Sequence, residues 1–126
     1  MADGTTLATP RLILRPPVAA DLPWLLTEMN TRSMMRHLAG VRSPDAVAEG
    51  LADDIAAFHG GGHQRWTVWL ADGATRVGRV GLFRVRSPAA PPALQGQREI
   101  GWSFAESHWG KGYASEAARI VMDHAF

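Results

Sequence analysis

Residues 107–114 read Ser107-His108-Trp109-Gly110-Lys111-Gly112-Tyr113-Ala114, two glycines set between two strongly patterned segments. Before them, Glu99 to Phe104 alternates. Ile100, Trp102 and Phe104 share one face, and Glu99, Gly101 and Ser103 the other, which predicts a strand. After them, Ala114, Ala117, Ala118, Val121, Met122 and Ala125 recur at helical spacing, which predicts an amphipathic helix from about Tyr113. The segment between is a strand-to-helix loop. Gly110 and Gly112 lack Cβ atoms, so the backbone can approach a ligand closely. The helix start directs free N–H groups and a positive dipole end at the loop. That arrangement suits phosphate. Lys111, the single lysine among thirteen basic residues, adds a charge at the rim.

Three phosphate-loop patterns can be compared with this stretch. A P-loop needs Lys followed by Ser or Thr, whereas Lys111 is followed by Gly112. A dinucleotide fingerprint needs a third glycine where Ser115 stands. The coenzyme-A pyrophosphate loop, [Q/R]-x-x-G-x-[G/A] before a helix, fits Ser107 to Gly112 at every position except the first. A strand–helix turn whose glycines only relieve backbone strain has the same appearance.

Outward from the loop, the rest of the chain reads as follows. Arg11-Leu12-Ile13-Leu14-Arg15 predicts a short strand stopped by Pro16-Pro17. Asp21 is placed as an N-cap, with Leu22, Leu25, Leu26 and Met29 on one face of a helix to about Asn30. Ser43-Pro44 starts a second helix that Gly60-Gly61-Gly62 ends. Gln64 to Ala71 predicts a central strand, apolar on both faces. Asp72-Gly73 marks a turn, and Arg76 to Arg86 a further strand in which Gly78 and Gly81 signal a bulge or a close contact. Residues 87–96 form a loop with three prolines. The expected fold is a single α+β domain over residues 1–126. Its sheet is mainly antiparallel and mixed, in the order β-α-α-β-β-β-α.

Three passages resemble the GNAT superfamily of N-acetyltransferases, within it the RimJ/RimL-like group that acetylates ribosomal-protein N-termini. Thr9-Pro10-Arg11-Leu12-Ile13-Leu14-Arg15-Pro16 resembles the group's opening strand. Glu99-Ile100-Gly101-Trp102 resembles its fourth strand. His108-Trp109-Gly110-Lys111-Gly112-Tyr113-Ala114-Ser115-Glu116-Ala117 resembles its cofactor loop and third helix. The resemblance implies acetyl-CoA as cofactor and an amine acceptor, a protein N-terminus or a small molecule. It implies that backbone near Phe104 and Ala105 pairs with the pantetheine arm. The pyrophosphate would lie on Trp109, Gly110, Lys111, Gly112, Tyr113, Ala114 and Ser115. Ser107 departs from the family's Gln or Arg. The family continues with further strands and a helix that complete the acceptor pocket. The chain stops at Phe126 inside a helical pattern and is expected to be a truncated copy of the fold. A coenzyme-A-binding or interaction module without turnover is therefore the alternative. An uncovered strand 99–104 also leads to an expected homodimer.

Glu99 is the candidate general base, since acetyl transfer needs a neutral amine; an ion-paired surface Glu beside Arg98 or Arg84 is the plainer role. His59 and His63 flank three glycines, but no metal site is expected without a third ligand. His108 and Tyr113 lie close enough to the loop to touch a cofactor, or simply to pack. Trp66, Trp69, Trp102 and Trp109 are expected in the core or a pocket wall. A net charge of +1 gives no footprint for nucleic acid. The chain has no cysteine, which removes disulfides, thiolate metal sites and thiol nucleophiles. Without a signal peptide in Met1–Thr6 or a membrane-length apolar run, the expected location is cytoplasmic.

Overall fold

The computed structural model describes residues 6–126, so the leader reading of residues 1–5 lies outside the described residues. Five strands form one sheet in chain order: β1 (Leu7–Ala8), β2 (Leu12–Arg15), β3 (Gln64–Leu70), β4 (Arg76–Arg84) and β5 (Arg98–Phe104). All four ladders are antiparallel, so the described sheet is not mixed. Short turns suffice to join such neighbours. Between β3 and β4, Asp72 Oδ1 accepts the Ala74 amide at 2.7 Å, and Gly73 takes a φ of 72°. The register of this ladder shifts beside Gly78: Val68 pairs with Gly78 and Trp69 with Arg76, which leaves Val77 as the extra residue on β4. Gly78 and Gly81 also mark close contacts. A Cβ at Gly78 would stand 2.6 Å from the Phe104 ring, and one at Gly81 2.3 Å from the Phe83 ring.

The helices depart more from expectation. Only α1 (Leu22–Trp24) is α-helical where one helix to Asn30 is predicted; Leu25–Met29 is a π turn. Thr27 Oγ1 donates to the Pro23 carbonyl, the acceptor that the Thr27 amide would use in an α-helix. The Asn30 amide then reaches back to Leu25 O at 2.9 Å. A short helix missed in the sequence, α2 (Arg32–Met35), follows at once, capped by Thr31 accepting from Met34 N. β1 was also missed, because two residues are too few to show a period. Helix α3 (Pro44–His59) begins and ends as expected, with Ser43 accepting from Ala46 N and Gly60 closing it. Helix α4 (Tyr113–Ala125) follows the loop.

The two faces of the sheet are built differently. One buries Leu12, Leu14, Trp66, Val68, Val80 and Phe104 with Ala117 and Val121 of α4. Each large aliphatic side chain so buried contributes about 1.5–3 kcal/mol. The other face, expected to be apolar as well, carries Arg65, Thr67, Arg76 and Arg79, which meet the buried carboxylates Asp21 and Asp54. Asp21 caps nothing as an N-cap of α1. It accepts instead from Val18 N, Thr67 Oγ1 and Arg76 Nε at 3.1, 2.6 and 2.8 Å. A smaller apolar cluster of Leu25, Met29, Leu51 and Ala105 ties α1 and α3 to the start of the loop.

Candidate cofactor-binding site

Among the described residues, β5 lies at the edge of the sheet and pairs only with β4. The Ala105 amide donates to Val77 O at 2.9 Å, so residues 99, 101, 103 and 105 turn their backbone groups toward β4. Those of Ile100, Trp102 and Phe104 point outward along the open edge. The outward carbonyl of Phe104 accepts from the Trp109 indole at 2.6 Å. Of the two residues expected to pair with an extended ligand, Phe104 keeps an outward N–H, while the Ala105 N–H is committed inside the sheet.

After β5 the chain makes one 3₁₀ turn (Glu106–His108) and the loop proper follows. Gly110 and Gly112 take φ of 76° and 79°. Such left-handed residues alternating with ordinary ones turn successive N–H groups into a concave nest for anions. The amides of Gly110 through Ser115 donate to no acceptor among the described residues; the first bond of α4 is Glu116 N to Gly112 O. A Cβ on Gly110 would meet nothing within 4 Å, so φ alone demands glycine there; one on Gly112 would lie 3.3 Å from Arg11 Nη2.

That arginine belongs to a clamp that the sequence did not reveal. Arg11 Nη1 donates to Lys111 O at 2.9 Å, and Arg11 Nε pairs with Glu116 Oε1 at 2.7 Å. Glu116 Oε2 also accepts from the Arg11 amide and from the Thr9 hydroxyl. The Arg11 guanidinium lies 4.8 Å from the centre of the Tyr113 ring. The start of β2 thus holds both the loop and the first turn of α4. Burial alone would push the Glu116 carboxyl up; the hydrogen bonds from Thr9 and Arg11 outweigh it and hold the group below its usual 4.5. The signal was in the sequence, as Thr9 and Arg11 within the opening passage and Glu116 within the loop passage, but nothing local says that they meet.

A groove lies on either side of the loop. One, of about 300 Å³, runs on the sheet edge and is lined by Met34, Trp102, Phe104 and Trp109. The other, of about 360 Å³, runs along α4 past Gly112, Ser115 and Arg119. Trp102 and Trp109 are more than half exposed, so they are groove wall and not core, whereas Trp66 is fully buried. The structure places Glu99 exposed on β5 opposite Phe83, and neither Arg84 nor Arg98 pairs with it. Five residues separate it from Phe104, or roughly 17 Å of strand. His63 binds Asp54 at 2.8 Å, while His59 packs its ring on Phe58. His108 stands 6.3 Å from Tyr113, ring to ring.

A half-open antiparallel sheet, an edge strand running into a loop of unbonded amides, and a helix starting on that loop make up the site. Over residues 11–126 the chain matches the family model of the acetyltransferase (GNAT) domain, and it belongs to that family. It is 39% identical over 62 residues to the uncharacterized protein YkkB of Bacillus subtilis (strain 168), a match spanning 48% of this chain and 34% of YkkB. An acetyltransferase from Agrobacterium tumefaciens str. C58 superposes with a TM-score of 0.78 at 30% identity, over 100% of this chain and 69% of that one. RimL, a ribosomal L7/L12 alpha-N-protein acetyltransferase in complex with coenzyme A, superposes with a TM-score of 0.65 over 94% of this chain and 65% of RimL. At 16% identity that likeness is one of fold. The chain spans only part of the length of each of these relatives. No helix of the described residues is long and apolar enough to cross a membrane.

Proposed function

We propose that this chain binds acetyl-coenzyme A and transfers its acetyl group to a primary amine. The observation that carries the reading is the run of unbonded amides from Gly110 to Ser115 at the start of α4. The first N–H groups of a helix have no intrahelical partner, and a diphosphate supplies acceptors for several at once. The grooves on either side suit a ligand with a diphosphate at its middle, its apolar arm against Trp102 and Trp109 and its nucleotide end along α4. RimL, of the same fold, is named for its action on a protein N-terminus and holds coenzyme A.

Acetyl-coenzyme A, when bound, would supply a thioester carbonyl carbon for direct attack by the neutral amine, with the C–S bond breaking as the C–N bond forms and the proton shed by the nitrogen ending on the departing coenzyme-A thiolate. The outward backbone of β5 orients the arm, and its N–H groups polarise the carbonyl oxygen. Glu99 lies too far along β5 to reach the loop-bound phosphates. It can serve only the thioester end of an extended arm, where it would take the proton of the incoming ammonium through water. With Glu99→Gln, turnover is expected to fall most at low pH, where few amines are already neutral, with coenzyme-A affinity unchanged. A pH–rate profile identical to that of the unaltered chain removes Glu99 from the reaction.

Isothermal titration with coenzyme A, followed by an acetylation assay on a panel of amines, tests the proposal. Binding of coenzyme A, but not of ATP or NAD, is expected, with turnover on at least one amine. Absence of coenzyme-A binding overturns it, and binding without turnover reduces the chain to a cofactor-binding module.

The clamp gives a second expectation. Glu116→Gln removes the charge that holds Arg11 and should weaken coenzyme-A binding about two- to fivefold, the scale of a partly exposed pair. Because the Glu116 carboxyl is held low, its contribution is complete above pH 4.5 and is lost as pH falls through the lowered value. Amide exchange of residues 110–114, followed against pH in both chains, checks this. Equal exchange at every pH leaves Glu116 without a role in the loop.

A further inference from the structure

Of the loop residues expected to offer an amide to a diphosphate, Trp109 stands apart from those after it. Its own N–H is spent inside the 3₁₀ turn, on Glu106 O at 3.1 Å. What it brings to the site is its side chain. The indole N–H reaches back to Phe104 O at 2.6 Å, and the ring, more than half exposed, lines the groove on the sheet edge.

The acceptor of that bond is a fixed point. The Phe104 side chain is buried and lies against Gly78 of the neighbouring strand, and just beyond it the Ala105 amide pins the chain to Val77 O. The donor belongs to a less constrained segment. Gly110 follows Trp109 with nothing within 4 Å of where its Cβ would stand, and the amides from Gly110 to Ser115 make no bonds that would fix their direction. Arg11 steadies this run from the β2 side, through Lys111 O at 2.9 Å. On the β5 side, the backbone bonds between Ala105 and Gly110 among the described residues are local, from His108 N to Ala105 O and from Trp109 N to Glu106 O. The indole bond is therefore what relates the loop to the open edge.

Loop and edge serve two parts of one ligand, the diphosphate and the arm. A ligand that spans two subsites gains from the second only where their separation matches its own length. Subsites held at that separation beforehand spare the cost of ordering the loop on binding. We propose that Trp109 is a positioning residue, whose indole bond to Phe104 O sets the loop at the spacing from β5 that coenzyme A requires. The inference rests on the coenzyme-A reading given above. A carbonyl oxygen has two lone pairs, so the arm can lie along the edge with the indole bond still in place.

Trp109→Phe keeps a ring on the groove wall and removes the donor. The residue is more than half exposed, so the variant should fold, which circular dichroism checks. The probes are coenzyme A and phospho-ADP, its nucleotide half without the arm. Trp109→Phe should bind coenzyme A about two- to tenfold more weakly, the worth of one hydrogen bond. Its affinity for phospho-ADP, followed by the shifts of amides 110–115, should change by less than about twofold, because the loop alone is then in use. In the unaltered chain the Trp109 indole N–H should remain slow to exchange with solvent when coenzyme A is bound. Equal affinity of the two chains for coenzyme A overturns the inference. An equal loss for both ligands overturns it too, since the bond would then support the loop and not its spacing from β5. Loop amides left unmoved by phospho-ADP do the same. So does an indole N–H that opens to solvent in the complex, since the ligand would then have displaced it. In each of these outcomes coenzyme A binds and the reading beneath stands; an unaltered chain that binds no coenzyme A brings down both.

Discussion

Asp21→Ala is expected to lower the stability of the fold by about 3–5 kcal/mol, the largest effect of any single change considered, because it strands a partner charge inside the protein. Asp21 is 1% exposed and accepts three hydrogen bonds, from Val18, Thr67 and Arg76. Arg76, only 21% exposed at its side chain, would keep its stacking on Trp69 and lose its counter-charge. The Thr67 hydroxyl, on the central strand β3, would be left with nothing to donate to. A domain of this size has roughly 5–15 kcal/mol in hand, so a large share would go. Urea unfolding at unchanged m-value measures it. Asp21→Asn keeps the shape and one acceptor and should lose less. A loss below about 1 kcal/mol for Asp21→Ala would mean that the Arg76 charge is adequately solvated without it.

Gly112→Val should weaken coenzyme-A binding about tenfold or more, equivalent to ~1.4 kcal/mol, in a chain that still folds. The cause is the backbone. At a φ of 79° a β-branched residue is strained, which costs about 1–3 kcal/mol. Relaxing that strain would turn the neighbouring amides away from their common focus. The new side chain would also press on Arg11 Nη2, 3.3 Å from where its Cβ must lie, and loosen the hold on the Lys111 carbonyl. Ligand approach at this position is therefore impaired through the clamp as well as through bulk. Titration calorimetry on the variant, with circular dichroism to show that α4 and the sheet persist, decides the matter. Unchanged affinity in a folded variant would take the loop out of the site.

Much of the fold was readable from residues close together in the chain. Strand β5, the glycine loop and helix α4 stand where alternation, glycine placement and helical spacing put them. Ser43, Pro44 and Gly60 mark both ends of α3. The family resemblance rested on β5, the loop with α4, and the passage Thr9 to Pro16, and the family match runs over residues 11–126. Where local signals competed, the reading failed. Leu22, Leu25 and Met29 keep an apolar face whether the backbone is α or π, so the pattern could not show that Thr27 would take the Pro23 carbonyl. Asp21 has the residue type of a cap, but its oxygens found stronger partners on the sheet.

What the sequence determined by itself is the set of interactions closed within a few residues: turns, caps, periodic faces, and the run of amides at the head of α4. Only the tertiary structure decided which distant groups complete them. Thr9 and Arg11 reach Glu116 across 107 and 105 residues of chain. Gly78 is glycine because Phe104 of the neighbouring strand lies on it. Local sequence predicts β3 as apolar on both faces, whereas one face carries Arg65, Thr67, Arg76 and Arg79, and Asp21 and Asp54 arrive from the helical layer to meet them. The physical reason is the same in each case. A local signal comes from the geometry of one element, whereas burying a charge or seating a ring depends on strand register and on which helix covers which face. Those are settled only when the whole sheet closes.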